Sequence, residues 1–237
     1  MSFPWQERTL LLMGEEKLGR LATSVVAVIG LGGVGAYAAE MLARAGVGRM
    51  VLLDSDNVAE SNKNRQLLAL DNNIGRKKVE VMAERLKDIN PALELTLIDE
   101  YLTSDNVADL LGPFKLDYLV DAIDTLSPKL SLIQYCVNAG IPHVTSMGSG
   151  AKYDATKVRM TDLSKSRNCP LAFIVRKKLR KMGIEKASLW CIPRNFRTTT
   201  PSSRRRVRPT RNPRLAPFPI CPQCSAVSAP RLPSPIS

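Results

Sequence analysis

The sequence predicts an α/β fold, a mostly parallel sheet with helices on both faces. Strand-like segments alternate with helical ones along most of the chain, as in a parallel sheet with both faces covered. The β-branched run Val25-Val26-Ala27-Val28-Ile29 leads directly into a glycine-rich turn and then a helical pattern. No internal repeat is present, and the mixed-charge body is long enough to bury a sizeable core.

The elements follow in order. A helical pattern at about 6–20 precedes the strand at 24–29. A helix from about 33 to 45 carries Val34, Tyr37, Ala38, Met41 and Leu42 on one side. Met50 to Leu53 is a second strand, ending at Asp54, and residues 62–70 read as a polar loop with a short helical piece. Val79, Met82, Leu86 and Ile89 give an amphipathic helix over 75–89, with Pro91 beyond its end. Leu93 to Ile98 reads as a strand, 104–111 as a short helix, and Tyr118 to Ala122 as a buried strand. Pro128 sits in the first turn of a helix running to Asn138. Pro142 to Ser146 is a strand, Val158 to Asp162 a hairpin arm, and 170–182 a basic helix.

Charge divides the chain in two. Residues 1–187 hold 25 Lys and Arg against 22 Asp and Glu, whereas residues 188–237 hold nine Arg and no Lys, Asp or Glu. The second stretch also carries ten Pro and no Gly, a composition that does not readily bury a core. The expected organisation is therefore a domain over 1–187 and a disordered Arg/Pro/Ser-rich tail over 188–237. Such an abrupt switch arises from translation of another reading frame or from a native Arg/Pro-rich tail, and composition leaves both open.

Five Cys in 237 residues is too sparse for a disulfide-stapled scaffold. Glu7, Arg8, Glu15, Glu16 and Lys17 interrupt the N-terminus, so no secretion signal is read there. Leu21 to Ala39 is uncharged for nineteen residues, enough by count to span a bilayer. Four Gly within it, each costing a helix interior about 1 kcal/mol, make it a strand and turn instead. No membrane association and a cytoplasmic location are expected.

Gly30-Leu31-Gly32-Gly33-Val34-Gly35 follows a strand and opens a helix, the context in which a GxGxxG turn brings backbone amides and a helix N-terminus to a phosphate. Asp54 ends the next strand, where a carboxylate accepts hydrogen bonds from a ribose. Downstream lie Ser61-Asn62-Lys63-Asn64-Arg65-Gln66, Gly75-Arg76-Lys77-Lys78 and Asp121-Ala122-Ile123-Asp124. Hydride transfer has no use for these cations. Attack of a carboxylate on the α-phosphate of ATP does, because Arg and Lys offset charge on the phosphoryl oxygens and an Asp holds the bridging Mg²⁺.

GLGGVG, the Asp54/Asp56 pair, SNKNRQ, GRKK and DAID resemble the Rossmann-like, ThiF-type adenylating domain of the ThiF/MoeB and ubiquitin-activating superfamily. The stretches RTLLLMGEEKL, LARAGVG, DNNIGRKKVEVMAERLKDINP and VTSMGSGAKYDATKVRMTDLSKS look most like its tRNA threonylcarbamoyladenosine dehydratase branch, over about residues 6–186.

The resemblance implies that Gly30, Gly32, Gly33 and Gly35 hold the ATP phosphates and Asp54 the ribose. It implies that Asn62, Arg65 and Lys78 grip the triphosphate, and that Asp124 positions Mg²⁺ for adenylation. Asp56 is read as support for the loop after Asp54. Arg8 resembles an N-terminal Arg that reaches the ATP of a partner subunit, implying a homodimer. The implied activity is ATP-dependent dehydration of threonylcarbamoyladenosine in tRNA. The threonyl carboxylate is adenylated, the neighbouring carbamoyl group attacks the acyl carbon, and AMP leaves as the ring closes. A cysteine desulfurase system is a partner by family association alone.

The alternative within the superfamily is adenylation of the C-terminal carboxylate of a small sulfur-carrier or ubiquitin-like protein. Against it stands the single CxxC at Cys221–Cys224, since four-Cys zinc sites need two such pairs. The other classes weighed are a nicotinamide-dependent oxidoreductase and a truncated fold that binds nucleotide or RNA without turnover. His143, the only His, reads as structural, Cys136 as core, and Cys169 as a packed residue at a helix entry. Lys177, Lys178, Arg180 and Lys181, with Lys165, Arg167 and Arg176 nearby, are either a solvated face or contacts to tRNA phosphates.

Overall fold

The protein is described from a computed structural model, which covers residues 4–147, 156, 158–166, 169–185 and 189–193. Among the described residues, seven strands form one sheet: β1 (Val25–Ile29), β2 (Arg49–Leu53), β3 (Glu94–Ile98), β4 (Tyr118–Asp121), β5 (His143–Ser146), β6 (Val158–Asp162) and β7 (Leu189–Pro193). Their spatial order is β3-β2-β1-β4-β5-β7-β6. All adjacent pairs are parallel except β6 with β7.

The helices are α1 (Glu7–Met13), α2 (Glu15–Thr23), α3 (Gly35–Ala45), α4 (Lys78–Ile89), α5 (Val107–Leu111), α6 (Leu126–Asn138) and α7 (Pro170–Lys181). Consecutive residues of each central strand face opposite layers. Val26, Val28, Met50 and Leu52 pack with Ala36, Ala39 and Ala43 of α3 and Met82 and Leu86 of α4. Ala27, Ile29, Val51 and Leu53 pack with Val107 and Leu111 of α5 and Leu132 and Cys136 of α6. Covering both faces explains why these strands read as continuous apolar runs. A third cluster joins Leu130 and Ile133 of α6 to Ala172, Val175 and Leu179 of α7.

Several boundaries differ from the sequence expectation. The helix expected at 6–20 is two helices broken at Gly14, whose φ of +80° lies in the left-handed region. The third helix starts at Gly35 rather than 33, because the glycine turn occupies the preceding residues. The fourth starts at Lys78 rather than 75, since Gly75 has φ +88° and Lys77 bridges to Asn57. Val158–Asp162 is not an arm of a local hairpin; it pairs antiparallel with β7, from Val158↔Pro193 to Asp162↔Leu189.

β7 also corrects the expected start of the tail. Leu189–Pro193 is a fully apolar run within residues 188–237, and it inserts between β5 and β6. The sheet therefore continues past the boundary expected at 187. The rest of the expected tail, including the Cys221–Cys224 pair, lies outside the described residues.

Candidate functional site

β1 is flanked on one side by β2 and on the other by β4, with all three parallel. Their carboxyl ends therefore share one edge, and the chain order reverses direction between β1 and β4. Open α/β sheets bind ligands in the crevice at this switch point.

The glycine turn fills that crevice. Gly30 has φ +90°, and a Cβ there would lie 3.1 Å from both the carbonyl carbon and oxygen of Ala122. A Cβ on Gly35 would meet the Gly30 carbonyl oxygen at 1.7 Å, so this helix start tolerates no side chain. Gly33 lies under the next motif, since its Cβ would sit 3.3 Å from the Arg65 carbonyl oxygen. Gly32 is open, with Gln66 Nε2 at 3.7 Å as its nearest neighbour.

Asp54, buried at the end of β2, clamps the turn. Its Oδ2 accepts the Leu31 N–H at 2.6 Å and its Oδ1 accepts the Asp56 N–H at 2.8 Å. An ionised carboxylate has about four acceptor sites, so capacity is left for a ribose hydroxyl. Lys78 opens α4, with its side chain only 5% exposed. Its Nζ donates to Asp56 Oδ2 at 2.6 Å and stands 3.7 Å from Asp54 Oδ1. Asp56, read as a loop support in the sequence, is thus the carboxylate that aims this cation.

Asn62 and Arg65 lie on the loop beside the turn. Asn62 Oδ1 accepts the Ala59 N–H at 3.1 Å, leaving its amide NH₂ available. Arg65 Nη1 donates to the Ser61 carbonyl at 3.1 Å and to Asn64 Oδ1 at 2.9 Å, which folds the guanidinium back on its own loop. Asp124 is exposed between β4 and α6, and its Oδ1 accepts from Thr125 Oγ1 at 3.3 Å. The N-cap of α6 is Thr125, so Asp124 is free of that duty. Arg8 stands apart on α1, exposed and without an ion pair or hydrogen bond among the described residues.

Behind this edge lies a pair that sequence reasoning missed. Lys129 Nζ donates to Asp121 Oδ2 at 2.7 Å, and both side chains are fully buried. Burial pushes the Lys129 amine below the ordinary lysine range, against the pull of Asp121. The available signal was a lysine set among Leu126, Leu130 and Ile133 on an otherwise apolar helix face.

His143 is buried, as expected for a structural residue. Its Nδ1 lies 2.9 Å from the Ile141 carbonyl, and burial lowers its pKa. Cys136 is core, its thiol pushed up to about 12 by burial. Cys169 is buried at the entry to α7. Lys165, Lys177, Lys178, Arg180 and Lys181 are all exposed, whereas Arg176 donates to Ser166 and stacks 5.7 Å from the Phe173 ring. Arg167 lies outside the described residues. No described helix is long and apolar enough to cross a membrane.

The profile of the ThiF family matches residues 6–208. The chain belongs to the ThiF family. The match runs beyond the expected end at 186 and takes in β7. This ThiF-family chain is 43% identical over 192 residues to tRNA threonylcarbamoyladenosine dehydratase of Escherichia coli strain K12, covering 79% of this chain and 71% of that protein. It is 44% identical over 179 residues to the protein of the same name in Bacillus subtilis strain 168, covering 76% and 70%. The crystal structure of the E. coli dehydratase, TcdA, in complex with ATP matches with a TM-score of 0.76 at 40% identity, covering 81% of this chain and 84% of that one.

Proposed function

We propose that this chain is an ATP-dependent dehydratase of threonylcarbamoyladenosine in tRNA, acting as a cytoplasmic homodimer. The observation that carries the reading is the convergence at one sheet edge of the glycine turn, the Asp54 clamp and the Asp56-aimed Lys78. The likeness to the dehydratases supports the substrate, and that to the ATP complex supports the nucleotide.

In this reading the amides of the Gly30–Gly35 turn and the α3 N-terminus cradle phosphates, Asp54 takes the ribose, and Asn62, Arg65 and Lys78 offset charge on the phosphoryl oxygens. The exposed Asp124 fits a Mg²⁺ site of the kind that uses one carboxylate together with substrate phosphates. Held there by Asp124, Mg²⁺ would offset negative charge on the phosphates. The threonyl carboxylate attacks the α-phosphorus and pyrophosphate departs. The adjacent carbamoyl group then attacks the activated acyl carbon, releasing AMP and closing the ring. No side-chain nucleophile is needed, which agrees with a buried, unreactive Cys136.

Exposed Leu11 and Leu12, 74% and 85% accessible on α1, support a partner subunit at the helix that carries Arg8. The cations of α7 are suited to tRNA phosphates. The desulfurase-system partner rests on family association; no described residue carries it.

The test is incubation of the full chain with ATP, Mg²⁺ and threonylcarbamoyl-modified tRNA. AMP formation with loss of one water from the nucleoside is expected, and Asp124→Asn should abolish both. Turnover only with a sulfur-carrier protein would replace this reading by its alternative.

A further inference from the structure

We infer that Lys129 is a positioning residue for the adenylation reaction, holding through Asp121 the turn that carries Asp124. The inference rests on the proposed role of Asp124. Asp121 is the last residue of β4 and Lys129 lies in the second turn of α6, so their ion pair closes the intervening chain onto itself. Asp124 sits inside that closed segment.

Each atom of the pair has a separate task. Asp121 Oδ2 receives Lys129, while Oδ1 accepts the Ile123 N–H at 3.0 Å, fixing the Ala122–Ile123 peptide one residue before Asp124. Lys129 Nζ also donates to the Ser146 carbonyl at 3.0 Å, tying the end of β5 to the same point. Ala122 completes the frame: its N–H donates to the Ile29 carbonyl at 2.9 Å, and its own carbonyl abuts Gly30. The glycine turn and the Asp124 turn are thereby held at a set spacing.

Stability alone does not call for this pair. A buried ion pair is matched or exceeded in stabilisation by apolar residues of similar volume. Apolar residues, however, have no acceptor for the Ile123 amide and no donor for the Ser146 carbonyl. The arrangement therefore specifies where Asp124 stands relative to the phosphates.

The test compares the parent chain with Asp121→Leu/Lys129→Met, Lys129→Arg and Asp124→Asn, using ATP, Mg²⁺ and threonylcarbamoyl-modified tRNA. The double variant removes both charges together and should fold with near-parent Tm. Its affinity for ATP should stay within about twofold, while kcat for AMP formation falls roughly 10–100-fold at unchanged KM for ATP, the scale of an ångström-level misplacement. A folded double variant with parent kcat, or one losing Tm, KM and kcat together, overturns the inference.

Should the double variant not fold, Lys129→Arg decides. It retains the charge with altered reach, so lowered kcat with faster hydrogen exchange at the Ile123 and Asp124 amides is expected. Parent values of both overturn the inference. Asp124→Asn separates the two levels: full activity there removes the role of Asp124 itself, whereas loss of activity in it alone removes only the positioning role.

Discussion

Gly35→Ala tests whether the close approach of the glycine turn to its own helix is as strict as the geometry states. The new Cβ would stand 1.7 Å from the Gly30 carbonyl oxygen, 2.9 Å from the Gly30 carbonyl carbon and 3.1 Å from Ala122 Cβ. Ordinary carbon–oxygen contact begins above 3 Å, so the turn must open by about 1.5 Å. The obstacle is backbone, with no flexible side chain to swing aside. Overpacking of that kind costs about 3 kcal/mol, and the gain in helix propensity returns about 1 kcal/mol, leaving a loss of about 2 kcal/mol. For a domain of this size the loss lowers Tm by about 4–8 °C. Gly32→Ala is the control, because its nearest neighbour is 3.7 Å away. It should keep the parent Tm within ~2 °C yet lose the rise in Tm on adding ATP and Mg²⁺, since its Cβ enters the space proposed for phosphate. Thermal melts with and without ATP read both quantities. Parent Tm and parent ATP response in Gly35→Ala would refute the steric reasoning.

Two further outcomes follow from the same structure. The folded-state pKa of His143 lies below its ordinary 6.5, so the unfolded chain binds the extra proton more readily. Stability from this group is complete above about pH 6.5 and is lost as pH falls, by up to about 1.4 kcal/mol per unit. Urea midpoints at about pH 7.5 and 5.5 should differ in the parent by more than in His143→Gln, and equal differences contradict the assignment. Leu11→Glu/Leu12→Glu should convert a dimer to a monomer in light scattering without changing circular dichroism; a parent of monomer mass contradicts the proposed subunit contact.

What was legible in the sequence was local. The β-branched run, the glycine turn and Asp54 announce themselves because strand, turn and helix start are each dictated by neighbouring residues. The positions of Gly30, Asp54 and Asp124 along one edge then follow from parallel topology. Gly14 was hidden because good helix formers stand on both sides of it, Leu10–Met13 before and Glu15–Leu18 after, and only its positive φ reveals the break. β7 was hidden for the opposite reason. A five-residue apolar run is diluted in a stretch of Arg, Pro and Ser, and its pairing with β5 and β6 is long-range. Lys78 was recognised as a cation, yet its restraint by Asp56 depends on a contact 22 residues away in sequence. The Lys129–Asp121 pair was invisible for the same reason, since burial of a charge is a property of the assembled layers and not of the segment.

In the proposed reaction the threonyl carboxylate attacks the α-phosphorus of ATP at the glycine turn. Threonylcarbamoyl-modified tRNA carrying heavy oxygen in that carboxylate, incubated with the full chain, ATP and Mg²⁺, tests it most directly. One heavy oxygen atom is expected in the AMP released. Unlabelled AMP formed together with dehydrated nucleoside would contradict it.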